Sequence, residues 1–117
     1  MDKIEQLSTL YLSALQPDTV NQATAQLINI YKNSDTVFDH IFFVDHCDIL
    51  IIRRYVILKL PALIKRHLSN FSNEQIENIK ESLIRLISQE EDLDCRYFLS
   101  DGLISFMKKI TITDFYF

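Results

Sequence analysis

The segment "ILIIRRYVILKLPALIKRHL", Ile49 to Leu68, restricts the fold more than any other part of the chain. On a helical wheel its apolar residues leave almost no polar side. Ile49, Ile52 and Val56 follow one line, Ile57, Ile64 and Leu68 another, and Ile51 and Leu58 lie between. A helix apolar nearly all round has to be buried nearly all round, in a bilayer or in a protein interior. Arg53, Arg54 and Lys59 argue against the bilayer, because a charge at its centre costs about 2.5 to 3.5 kcal/mol even on insertion scales. The expectation is a soluble helix with neighbours on several sides. Pro61 removes one backbone donor, and the pattern continuing to Leu68 predicts a bend there rather than an end.

The remaining segments supply such neighbours. Ile4, Leu7, Tyr11 and Ala14 recur at helical spacing between Asp2 and Leu15, and "QPD" ends that helix, with Asp18 as the expected N-cap of the next. Val20, Ala23, Leu27 and Tyr31 continue the spacing to "KNSD". A shorter helix carries Phe38, Ile41 and Phe42 and ends near His46, after which Asp48 is the expected cap of the long apolar helix. In "FSNEQI", Ser72 and Gln75 stand in capping-box relation and Phe71 and Ile76 at the positions of a hydrophobic staple. That helix runs to about Glu90, with Ile76, Ile79, Leu83 and Leu86 inward. After "QEEDLD" a last helix runs from about Asp92 to Lys109, where Gly102 allows a close backbone approach.

The predicted fold is therefore all-α: six helices in three antiparallel pairs, approximately 2–32, 35–70 and 72–110, as one segment over 1–117. An outer amphipathic helix beside an inner, widely buried one is the pattern of an α-solenoid of HEAT-like repeats, with a compact six-helix bundle as the alternative. One glycine and two prolines in 117 residues are too few turn formers for a β-sandwich. The net charge of −4 opposes a nucleic-acid footprint. Cys47 and Cys95, far apart, make no disulfide scaffold and suit a reducing compartment.

At this level the chain resembles importin-β-type nuclear transport receptors (karyopherins-β). "DTVNQATAQLINIYKNSD" resembles the second helix of the family's first repeat, and "IIRRYVILKL" the arginine-led second helix of the next. "LIKRHLSNFSNEQIENIKESLIRLISQEEDLDCRYFLSDGLISFMKKI" follows the family's order of basic run, aromatic, Ser/Glu-rich cap, glutamate turn and early arginine. The resemblance covers about Leu7 to Ile110. Phe71 stands where a tryptophan is common, the spacing from Arg53 to Phe71 is a residue or two longer than usual, and Pro61 is out of pattern. It implies an N-terminal piece of a longer receptor, with "TITDFYF" suited to the start of another helix. It also implies a non-enzymatic protein-binding role in cytoplasm and nucleus. The implied partners are the GTP form of the small GTPase Ran on the inner helices (Asp18 to Tyr31, Asp48 to Leu68, Asp92 to Lys109), cargo proteins and nucleoporins. Self-association of a three-repeat piece is plausible. The alternative is a HEAT-like scaffold or regulatory subunit outside nuclear transport.

Lys59 and Arg66, two turns apart on the middle inner helix, are the candidate partner-binding residues, against the ordinary reading of a solvated basic edge. Neither a cofactor site nor a metal site is expected. In "DHCD", Asp45 to Asp48, neighbouring side chains point in different directions, and His40 and His46 are six apart where a helix face needs three or four. Arg96 beside Cys95, near a helix start, could lower that thiol's pKa, but a lone cysteine is usually a small buried hydrophobe. The aromatics Phe38, Phe42, Phe43, Tyr97, Phe98 and Phe106 read as core or repeat interface. A helical-bundle enzyme using Cys47 or Cys95 is the least favoured reading.

Overall fold

A computed structural model describes residues 2–116, with side-chain surroundings for residues 2–110. Six α-helices follow one another: α1 (Lys3–Ala14), α2 (Val20–Tyr31), α3 (Thr36–His46), α4 (Leu50–His67), α5 (Asn73–Gln89) and α6 (Leu93–Tyr116). A single 3-10 turn, Leu68–Asn70, follows α4, and there is no strand among the described residues. Pro61 lies inside α4 without ending it.

The caps follow the sequence in part. Asp2 Oδ1 accepts the Glu5 N–H at 2.8 Å, and Ser72 and Gln75 form the reciprocal capping box at 3.2 and 2.9 Å. Asp92 Oδ2 accepts the Cys95 N–H at 2.9 Å at the start of α6. Asp18 and Asp48 do not cap. The residues before α2 and α4 are Thr19 and Ile49, one position later, and neither gives a side-chain cap bond. Thr19 instead donates back to the Ser13 carbonyl at 2.7 Å, closing the turn between α1 and α2. "TITDFYF" does not begin a new helix: α6 runs through Tyr116, since no glycine or proline after Lys109 interrupts its ladder. Phe117 lies outside the described residues.

The chain is elongated, 48 × 30 × 23 Å, with a radius of gyration of 14.5 Å; a compact chain of this length has about 13 Å. Each helix packs on the next across a short turn in the combinations α1–α2, α3–α4 and α5–α6, and α4 also packs extensively on α6. These last two run in the same direction. Arg54 meets Asp92 and Asp94, Pro61 meets Gly102, and Ile64 shares a cavity wall with Phe106, in that order along both helices. One apolar cluster runs through the molecule, from Leu7 and Tyr11 through Val37, Phe43, Ile52, Val56, Ile57 and Leu60 to Ile79, Leu83, Cys95 and Leu99.

Gly102 is the tight point. A Cβ there would lie 2.9 Å from Pro61 Cγ, so the glycine is required by the approach of the proline ring. Gly102→Ala should gain about 1 kcal/mol of intrinsic helix preference but lose about 1 to 3 kcal/mol to overpacking, for a net destabilisation. In a Pro61→Ala background the ring is gone, and the same change should stabilise. Denaturant unfolding of the double-mutant cycle reads this reversal of sign; stabilisation by Gly102→Ala in both backgrounds would contradict the contact.

The junction of α1, α2 and α3 holds a buried polar chain. Tyr11 Oη lies 2.8 Å from Tyr31 Oη and 2.6 Å from His40 Nε2, while His40 Nδ1 is 2.7 Å from the Thr36 carbonyl. A carbonyl only accepts, so Nδ1 carries the proton. Burial holds His40 below the ordinary histidine pKa, so Nε2 is bare and accepts from Tyr11, which accepts from Tyr31. Burial also raises both tyrosines, Tyr11 with added help from Tyr31, so both keep the protons this direction needs. His67 on α4 joins by bonding the Tyr31 carbonyl from Nε2 at 2.7 Å. Every buried side-chain N or O among the described residues has a partner.

Candidate interaction surface

The long apolar helix is not enclosed on all sides. Ile52, Val56, Ile57, Leu60, Leu63, Ile64 and His67 of α4 are buried, but Ile51 (61% exposed), Tyr55, Leu58 (56%) and Ala62 face solvent. Positions 51, 55, 58 and 62 fall on one helix face. The expectation of burial nearly all round is thus corrected. α3, α6 and the α1–α2 pair cover three sides of α4, and the fourth is an open apolar stripe. The helices α2 and α6 expose apolar residues as well: Ile28 on α2, Tyr97 and Ile104 on α6. Phe42 and Tyr97, read from sequence as core or interface, are mostly exposed, whereas Phe43 and Phe106 are buried.

Lys59 and Arg66 are both exposed on α4. The Lys59 ammonium sits 5.8 Å from the ring centroids of both Tyr31 and Tyr55, so it closes the seam between α2 and α4 by cation–π attraction. Arg66 follows seven residues later, past Pro61, and takes no part in that seam. Further along, a cavity of about 340 Å³ opens between α4 and α6, and its basic residues are Lys65 and Lys109, not Arg66.

Arg53 and Arg54, which in the sequence count against membrane insertion, organise the far end of the surface. Arg53 forks onto Glu90, with Nη1 to Oε1 at 3.1 Å and Nη2 bonded to Oε2, while its Nε donates to the Val44 carbonyl at 3.3 Å. The Glu90 side chain is only 3% exposed and also accepts the Asp92 N–H at 3.0 Å. The hydrogen bonds from Arg53 hold the Glu90 carboxyl below its usual pKa. Arg54 forks onto Asp92 at 2.8 and 3.3 Å, lowering that carboxyl in turn. The α5–α6 turn is therefore clamped to α4 by two adjacent arginines. The signal was present in the sequence: a pair of arginines inside an apolar helix needs carboxylates, and "QEEDLD" is an acid-dense turn.

The thiols offer no reactive group at the surface. Cys47 and Cys95 are both buried and unpaired with one another. Burial and the Asp92 contact push Cys95 up to about 11, so the lowering expected from Arg96 does not occur. His40 and His46 are engaged elsewhere, His46 with the Phe42 carbonyl at 2.9 Å, and no group of three His, Cys, Asp or Glu among the described residues could hold a metal ion. No helix among the described residues is long and apolar enough to cross a membrane. Neither a family model, nor a curated protein, nor a solved structure matches the chain.

Proposed function

We propose that the chain is a non-enzymatic protein-binding segment of α-solenoid type, made of three HEAT-like helix pairs, whose partner seats on the open face of the inner helices α2, α4 and α6. The carrying observation is the solvent-facing stripe Ile51, Tyr55, Leu58 and Ala62 on the helix that is otherwise most enclosed. Contiguous exposed apolar surface is costly to keep and usually marks an interaction site. The parallel packing of α4 on α6 and the elongated shape support a row of hairpins rather than a closed bundle.

The resemblance to importin-β-type receptors supplies the finer reading, Ran in its GTP form as the partner. Immobilised chain should retain Ran–GTP over Ran–GDP, and Leu58→Asp should weaken binding about tenfold or more by placing a charge in the centre of the apolar contact. Equal or absent retention of the two nucleotide states removes the transport receptor from the reading. A HEAT-like scaffold outside transport then stands, and Leu58→Asp tests it against whichever partner is captured. A partner whose affinity ignores Leu58→Asp does not use this face.

A further inference from the structure

The polar bonds that join the helix pairs to one another differ in chemistry along the chain. Arg53 with Glu90, Arg54 with Asp92 and Arg85 with Asp45 tie α3 and α4 to α5 and the turn before α6. Arginine stays charged at every working pH, and carboxylates titrate near about 4. The junction of the α1–α2 pair with the rest carries histidines instead. Tyr11 meets His40, and the Tyr31 carbonyl meets His67, beside the Lys3–Asp39 pair and the Lys59 ammonium over the Tyr31 ring. This pair is also the least embedded part of the fold, since α2 packs chiefly on α1. We propose that α1 and α2 form a unit that detaches from α3 and α4 on mild acidification while α3 to α6 stay packed.

His40 is the group that senses the proton. It is fully buried, and its Nε2 accepts from Tyr11 only while that nitrogen is bare. A second proton turns both ring nitrogens into donors. Tyr11 must then give its own hydrogen to Tyr31, whose hydroxyl has no bond among the described residues except to Tyr11. Lys3 of α1 and Asp39 of α3 are the charged groups that act on His40, and Asp39 already lies 3.3 Å from the Lys3 ammonium. Tyr55, Lys59 and His67 of α4 stand one contact further out, against Tyr11 and Tyr31, and none is a carboxylate. An imidazolium there is buried without a free counter-charge, which is costly. Lifting α1 from α3 returns Nε2 to water, where it takes the proton at about pH 6.5. The packed ring stays neutral below that pH, so the detached state binds more protons and gains as pH falls. His67 is no such sensor, because its Nε2 donates to the Tyr31 carbonyl and keeps that bond when the ring is charged.

The test is hydrogen exchange of the full chain, read by mass spectrometry of peptic peptides at about pH 7.5 and about pH 5.5 and corrected for the intrinsic pH dependence of amide exchange. Peptides from α1 and α2 should be about tenfold or more less protected than those from α5 at both pH values, because they open without the rest of the chain. Their protection should also fall about tenfold between the two pH values, the change expected when opening takes up one proton at a group with a free pKa of about 6.5. In the Tyr11→Phe, His40→Leu double variant, checked for unchanged helicity, that fall should vanish. The parent alone can overturn the proposal. Equal protection of α1, α2 and α5 means that the pair opens only with the whole chain, and protection level across the two pH values means that no proton drives the opening. A fall that persists in the double variant belongs to another group and overturns the proposal as well.

Discussion

Arg53→Ala is expected to lower the unfolding free energy by about 3 kcal/mol, the scale measured for stripping one partner from a buried ion pair. For a chain of this size that is a fall in Tm of about 10 °C. The loss exceeds the net worth of the pair, because Glu90 stays buried with its principal donors gone and only the Asp92 N–H left to it. Arg53→Leu with Glu90→Leu should recover a good part of that loss, since two apolar groups leave no stranded charge. Thermal and denaturant unfolding of the two variants decides it; a single variant as stable as the parent would mean that the clamp contributes nothing. The pair also has a pH signature. The folded carboxyl of Glu90 titrates below its unfolded value of about 4.3, so its contribution is present above that pH and is lost as pH falls through the folded value. The gap between parent and Arg53→Ala should therefore narrow in acid.

His40→Ala should cost about 3 kcal/mol, combining a cavity where His40 is fully buried with a Tyr11 hydroxyl left without its acceptor. Tyr11→Phe should cost less, about 1 to 2 kcal/mol, because it orphans Nε2 without opening a large cavity. His40→Leu combined with Tyr11→Phe should fall below the sum of the single losses. Mild acid acts on the same group. The folded His40 titrates below the unfolded value of about 6.5, so the unfolded chain takes up a proton first as pH falls below that value. Asp39 raises and Lys3 lowers the folded value, but burial dominates both. Stability should decline between pH 6.5 and the onset of carboxylate titration, and His40→Leu should flatten that decline. A parent whose unfolding free energy is level across this window would show that the histidine is not held neutral.

The helices were legible because each rests on local chemistry. The Ser72–Gln75 box is contained within four residues, and the breakers around Pro17 and in "KNSD" sit where α1 and α2 end. Gly102 was legible as a close approach, though not the proline ring that occupies the space. Asp18 and Asp48 misled because capping is decided by which residue leaves helical geometry, and the turn at Thr19 and the extended Ile49 moved that point by one. The open stripe on α4 was hidden for a related reason. Periodicity counts apolar residues around a helix but does not say which sides have a neighbour, and here three of four do.

The amino-acid sequence by itself determined the class: scarce glycine and proline, helical spacing throughout and charged residues within the one long apolar stretch leave only packed helices. Tertiary structure alone decided which side chains meet. Arg53 and Glu90 are 37 residues apart, and Tyr11 and His40 29 apart. Their pairing depends on where the helices settle against one another. Apolar burial drives that settling without direction, while the buried polar groups accept only arrangements that give each of them a partner.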